Sequence, residues 1–352
     1  MQNGRSENLQ YLWWLALVGA VGVLLYLLAP ILSPFLFAAM LAYICSPLVE
    51  RMSRRGVPRT LAAALVLLLL LAIFAAFMLI MVPLLVRQAR AMGEQIPAYV
   101  DWLRATAVPW VSREFGVQLD LDFVRDWLSG HAGEIQQLAV KVLPSLGSGG
   151  LALVNVVVDA ALVLVVLFYF LRDWTRLTTH ITRMVPRRWH ARFVALFREI
   201  DEVLGQFLRG QLMVMLLMGA FYTAGLWLVG LDYALSVGMI AGLVTFVPYL
   251  GVITGVALAT LTGVLQFEGM TGLLWVWLVF ALGNVLEGYV LVPLLVGDRV
   301  GLHPVVVIFA LLAFGQLFGF FGVLLAVPAS ASLLVWLRHM RRRYLDSGMY
   351  NA

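Results

Sequence analysis

Four polar residues sit where an apolar chain least accommodates them. Asn155 and Asp159 are four apart in the run 151–171, and Asn284 and Glu287 are three apart in the run 273–295. Either spacing puts the pair on one face of a helix. An ionisable group inside a membrane span is costly, so it turns toward protein or water and marks a candidate pathway. A carboxylate there can take up a proton or a cation. The plainer roles are a structural bond for Glu287 and a subunit contact for Asp159. Gln316, Thr245, Thr254, Thr260 and Thr262 are further candidates for lining a path, although a membrane Thr commonly bonds back to its own helix. His303, before Pro304, reads as a local cap, since no second His or Cys lies near enough in sequence to complete a metal site.

The elements that carry these residues follow from composition. Of 352 residues, 62% are hydrophobic and 12% charged, about half the usual charged share. Several apolar runs exceed the roughly 20 residues that cross a bilayer. The expected fold is an all-α polytopic membrane protein with about eight membrane segments. Cys45 is the single cysteine, so an intrachain disulfide is excluded. The sequence lacks GxxxxGK[ST], HExxH and GxSxG, which argues against an ATP-driven pump or an intramembrane hydrolase. The chain reads as a non-enzyme without cofactor or bound metal.

Residues 1–86 are expected to hold three spans, the first two forming a tight hairpin at Pro30 and Pro34. Mixed charge with Trp102, Trp110, Phe123 and Trp127 marks 87–150 as a small domain outside the membrane. Span four occupies 151–171 and a basic amphipathic segment follows over 172–210. In the latter, Trp189, Phe193, Leu196, Phe197, Ile200, Val203, Leu204, Phe207 and Leu208 recur at helical steps. The membrane half is 211–337, and 338–352 is a basic tail.

The net charge is +5, and all 24 basic residues except Lys141 are Arg. They cluster at 51–59, 172–192 and 338–343, which all fall on one side if both termini are cytoplasmic. The basic excess thus reads as a record of sidedness and needs no nucleic-acid partner.

The stretches 234–265 and 304–337 are too long for one straight crossing of a hydrocarbon core about 30 Å thick. Pro248, Tyr249 and Gly251 interrupt the first; Gly315, Gln316, Gly319 and Gly322 interrupt the second. Each is expected to break into a re-entrant hairpin, with kinked full crossings as the alternative. Phe246 and Gly251 recur 68 positions later as Phe314 and Gly319. With a plain span before each broken segment, the pattern reads as an inverted repeat of the kind that builds alternating access in secondary transporters.

The stretches GLVTFVPYLGVITGV and LEGYVLVPLLVGDRVGLHPVVVIFALLAFGQLFGFFGVLLAVP resemble the signature half of the autoinducer-2 exporter family, also described as PerM-like permeases. Pro248, Tyr249 and Gly251 match the family's Pro-aromatic-x-Gly turn, and Glu287 and Pro293 its Glu…Pro pair. Gly297, Pro304, Gly319, Gly322 and Pro328 match its later turns, while Tyr289 stands where members often carry Asn. The resemblance implies a homo-oligomer in a bacterial inner membrane, in contact with lipid. It also implies export of a small polar solute of autoinducer-2 type, or exchange of sodium or lithium against protons. A non-transporting membrane scaffold is the reading from a different class.

Overall fold

The computed structural model describes residues 3–94, 150–267, 270–297 and 302–345. The expected outer domain falls almost wholly outside these residues, as do Asp298, Arg299 and the end of the basic tail. Among the described residues every regular element is helical: α1 Asn3–Arg54, α2 Arg59–Glu94, α3 Gly150–Met184, α4 Arg187–Val229, α5 Ala234–Val244, α6 Leu250–Gln266, α7 Met270–Leu286 and α8 Pro304–Leu345. From Glu287 to Val296 the chain beyond α7 winds as a π-helix. Five helices among the described residues are long and apolar enough to cross a membrane.

The exposed faces agree with that setting. Leu68, Ile73, Phe74 and Leu79 stand out from α2, and Leu274, Trp275, Leu278 and Leu282 from α7. Helices satisfy their own backbone groups, so such faces are stable in hydrocarbon.

One compact unit comprises residues 1–67, 159–205 and 299–352. On α1, Ala38, Ala42, Cys45 and Val49 are buried at steps of three and four, and α1 packs along α8, with the Phe37 and Phe321 ring centroids 4.7 Å apart. The amphipathic stripe of α4 docks here: Leu196, Ile200 and Val203 pack against Ala331 and Val335 of α8. The Tyr43 hydroxyl fastens α1 to the same stretch, donating to the Asp201 carbonyl and to its Oδ1 at 2.8 Å.

The second unit comprises residues 68–158 and 206–298. Its core is one stripe of α4, on which Gln211, Val214, Met218, Tyr222 and Leu226 are all buried. α5 and α6 fold back on one another. A Cβ on Gly255 would lie 2.8 Å from the Ala241 methyl, a contact unattainable in a straight helix, where fourteen residues rise about 21 Å. Gln266, at the end of α6, closes the hairpin at its open end: its amide donates to the Gly230 carbonyl at 2.6 Å and its oxygen accepts from the Asp232 N–H at 3.0 Å. With 11 and 17 residues, the two limbs reach only about 16 and 25 Å, short of a crossing.

The long helix α8 also turns back. Gly319 has φ 62° and ψ −143°, and a Cβ on Gly315 would meet the Val323 side chain at 3.0 Å. Both over-long segments are therefore hairpins. Their tips are not in the register of the Phe…Gly repeat, however. The left-handed residue of the first tip is Tyr249, φ 69°, two positions before Gly251, whereas in the second it is Gly319 itself.

The hairpin expected at Pro30 and Pro34 is absent, because α1 is continuous over 52 residues, about 78 Å. A reversal breaks the helix's own hydrogen bonds, so it is favoured by residues that tolerate turn conformations and by partners for the freed backbone groups. Between Ala29 and Phe35 the sequence offers only apolar residues, Ser33 and the two prolines, so the prolines are accommodated within the helix. The helices also run through the segment boundaries at 171, 210 and 337. α3 runs on to Met184, α4 passes through 210 and α8 continues to Leu345, since leaving the hydrocarbon does not interrupt a helix's own hydrogen bonds.

Candidate transport site

Glu287 is the first residue of the π-helical segment and is half-buried. The segment owes its wide winding to sequence. Pro293 lacks an amide hydrogen, and the Gly297 N–H reaches back five residues to the Val292 carbonyl at 3.0 Å. π-Segments inside helices are frequent at functional sites. Here the backbone is tightly supported, because Gly210 of α4 abuts the Leu295 carbonyl so closely that any Cβ would collide with it.

Across from this segment lies Tyr222 of α4, fully buried. Its ring packs tilted against Phe280 at 4.7 Å between centroids, and Gly283 supplies the space, since a Cβ there would lie 2.9 Å from the phenolic oxygen. That oxygen has no hydrogen-bond partner among the described residues, and Glu287 follows Gly283 by four residues, one helical turn further along the same face. Glu287 has no hydrogen bond or ion pair among the described residues. A half-buried carboxylate and a buried unpartnered hydroxyl on this stretch are the polar groups that stand out in an otherwise apolar setting, where buried polar groups are ordinarily paired.

Three turns earlier on the same stripe of α4, the buried Gln211 donates from Nε2 to the Thr245 carbonyl at 2.8 Å. The start of the α5–α6 turn is thereby held to α4. The Thr245 hydroxyl donates to the Ala241 carbonyl at 2.8 Å, Thr262 donates to Leu258 and Ala259, and Thr260 accepts from the Trp277 indole N–H. Thr245 and Thr262 are thus engaged locally, while Thr260 ties α6 to α7. A second pair of buried groups, Ser236 of α5 and Gln88 of α2, bonds at 2.8 Å.

The remaining sequence candidates are spread out. Asn284 is exposed one turn before Glu287. Gln316 is exposed and belongs to the other unit. Asn155 and Asp159 lie on α3, with side chains outside the described residues. Pro248 and Tyr249 form the first tip, and Gly251 opens α6 against Thr245. Pro293 lies within the π-segment and Gly297 closes it at φ 78°. Gly322 packs on the Phe314 carbonyl across the second tip. His303 makes a local contact, its Nδ1 accepting from the Val305 N–H at 3.3 Å, and no cluster of metal-ligating residues occurs among the described ones.

Sequence reasoning missed Tyr222, Gln211 and Gln88. Tyr222 and Gln211 share a signal that is visible in retrospect. Eleven residues return a helix to the same face, so a Gln and a Tyr at that spacing put two hydrogen-bonding groups on one stripe.

The chain matches the AI-2E family transporter description over residues 14–342. It belongs to that family. Among bacterial relatives, YrrI of Bacillus subtilis (strain 168), named as a transport protein, is 29% identical over 320 residues, covering 89% of this chain and 87% of its own. PerM of Escherichia coli (strain K12), named as a permease, is 24% identical over 314 residues, 89% and 88% of the two chains. TqsA of the same strain, named as an AI-2 transport protein, is 26% identical over 302 residues, 85% and 83% of the two. AI-2E membership makes the chain a multi-pass membrane transporter, and the hairpins and π-segment fall in the half that carries the family's signature.

Proposed function

We propose that the chain is a secondary transporter that exports a small polar solute of autoinducer-2 type across a bacterial inner membrane by alternating access. The observation that carries this reading is the Glu287–Tyr222 pair, a carboxylate and a buried idle hydroxyl at the start of a π-segment, beside a hairpin too short to cross. Broken helices around a polar site are how secondary transporters expose one site to each side in turn. Asn284 lies one turn from Glu287 on the proposed path, and the name of TqsA supports the solute class. The Arg clusters support a cytoplasmic side for the α1–α2 turn and the C-terminal end of α8, with 87–150 facing outward and the two hairpins entered from opposite sides. As the resemblance implies, copies of the chain associate.

A second reading rests on the same carboxylate. Glu287 has no cationic partner among the described residues, which also suits a site that trades a proton for sodium or lithium. Flux in proteoliposomes separates the two. Autoinducer-2-type efflux independent of sodium supports export, and sodium-dependent proton movement without solute flux supports antiport. In either case Glu287→Gln is expected to abolish proton-coupled flux, and coupling equal to wild type would remove Glu287 from the mechanism. A well-folded preparation inactive in both assays would overturn both readings.

A further inference from the structure

Outside the transport half, Arg59 and Thr60 at the start of α2 face Arg172, Asp173 and Arg176 of α3 around a cavity of about 370 Å³. All five belong to one compact unit. Asp173 is committed within the cluster: its Oδ2 accepts from Arg172 Nε at 2.9 Å and Nη2 at 2.6 Å, and its Oδ1 lies 3.7 Å from Arg176 Nη1. Arg172 is further fixed by its guanidinium over the Tyr169 ring, 4.7 Å from the centroid, and the Phe168 ring at 5.7 Å. One carboxylate therefore stands among three guanidiniums.

The imbalance is sharpest at Arg59. Its Nε is buried and has no hydrogen-bond partner among the described residues, an arrangement that costs free energy unless something fills it. Around it lie the Thr60 hydroxyl and the first turn of α2. The Ala62 N–H bonds to the Pro58 carbonyl, but the amide hydrogens that open a helix have no acceptor within it and favour an anion. Forked guanidiniums, a hydroxyl and a helix start together match the tetrahedral oxygens of a phosphate group. The apolar residues next along the two helices, Leu61 and Leu65 on α2 and Val165 on α3, are exposed and give hydrocarbon a surface beside the polar cavity.

We infer that this cavity binds the phosphate headgroup of an anionic membrane phospholipid at the inner boundary of the membrane. The guanidiniums take the phosphate oxygens and the acyl chains lie along the exposed leucines. The site serves attachment to lipid and is independent of the solute path.

The probe is dioctanoyl phosphatidylglycerol titrated into the purified full-length protein in neutral detergent, followed by native mass spectrometry and by the unfolding temperature. Dioctanoylglycerol, which lacks phosphate, and inorganic phosphate are the comparison ligands. Phosphatidylglycerol is expected to bind and raise the unfolding temperature, dioctanoylglycerol to do neither, and inorganic phosphate to compete only at far higher concentration. Arg59→Gln with Arg176→Gln should weaken phosphatidylglycerol binding by about tenfold or more, while Arg59→Lys with Arg176→Lys should retain most of it. Equal binding by wild type and the Gln pair overturns the site. If the Gln pair does not fold, absence of phosphatidylglycerol binding by wild type does the same. Inorganic phosphate binding as tightly as the lipid would assign the cavity to a free anion and overturn the lipid source.

Discussion

Tyr249 holds φ 69° at the tip of the α5–α6 hairpin, half-exposed and without a side-chain cap. A non-glycine residue in the left-handed region costs about 1–2 kcal/mol. Tyr249→Gly removes that strain but adds chain entropy to the unfolded state. The variant is expected to gain a net stability of about 0.5–1 kcal/mol, read from detergent unfolding; a loss would show that the tyrosine ring contributes more than its backbone costs. Tyr222 poses the complementary question. Tyr222→Phe keeps the ring against Phe280 and removes the unpartnered hydroxyl, so stability should hold or rise by up to about 1 kcal/mol while solute flux falls. Unchanged flux would make the hydroxyl a passive occupant. Glu287 was visible in the sequence because a carboxylate in an apolar run has few bland explanations. Tyr222 was hidden because an aromatic in such a run reads as core, and only the fold puts it opposite a glycine and a carboxylate.

At the level of elements, over-long apolar segments with Pro or Gly at their centres were readable as hairpins, because length and a permissive backbone pointed the same way. The same reasoning failed at Pro30 and Pro34, where proline occurred without any residue suited to positive φ. Glycine supplies the positive φ at Gly56 between α1 and α2, at Gly230 before α5 and at Gly319 in the second tip, while Tyr249 adopts it in the first tip at a cost. The unbroken α1 also removes the reversal on which a cytoplasmic N-terminus rested. A reporter fused before Asn3 is therefore expected on the side opposite one inserted at Gly56, and both on one side would restore the two-span arrangement. The α5–α6 hairpin depends on its open-end clasp. Gln266→Ala deletes two hydrogen bonds and should cost about 1–3 kcal/mol, with cysteine labels near Gly230 becoming more reactive in intact cells. Unaltered stability and labelling would show that the limbs hold each other without Gln266.

Across the whole molecule, hydropathy and Arg placement made the membrane class legible, while pairings between distant segments left no local trace. Asp173, just past span four, illustrates the electrostatic side. Its hydrogen bond from Arg172 lowers its carboxyl below the ordinary 3.8. A lowered folded value adds stability that is present above the unfolded value and lost as pH falls through the folded one. Asp173→Asn should flatten the acid limb of unfolding in detergent below about pH 4, and an unchanged limb would show the pair to be silent. The bond between Ser236 and Gln88 spans 148 residues of sequence and has a consequence for biogenesis. At about 5–20 residues per second, a ribosome needs roughly 7–30 s to deliver the serine after the glutamine has been made. Through that interval the Gln88 amide of α2 waits without its partner, so a nascent chain stalled before α5 should carry a polar mark that membrane quality control can recognise.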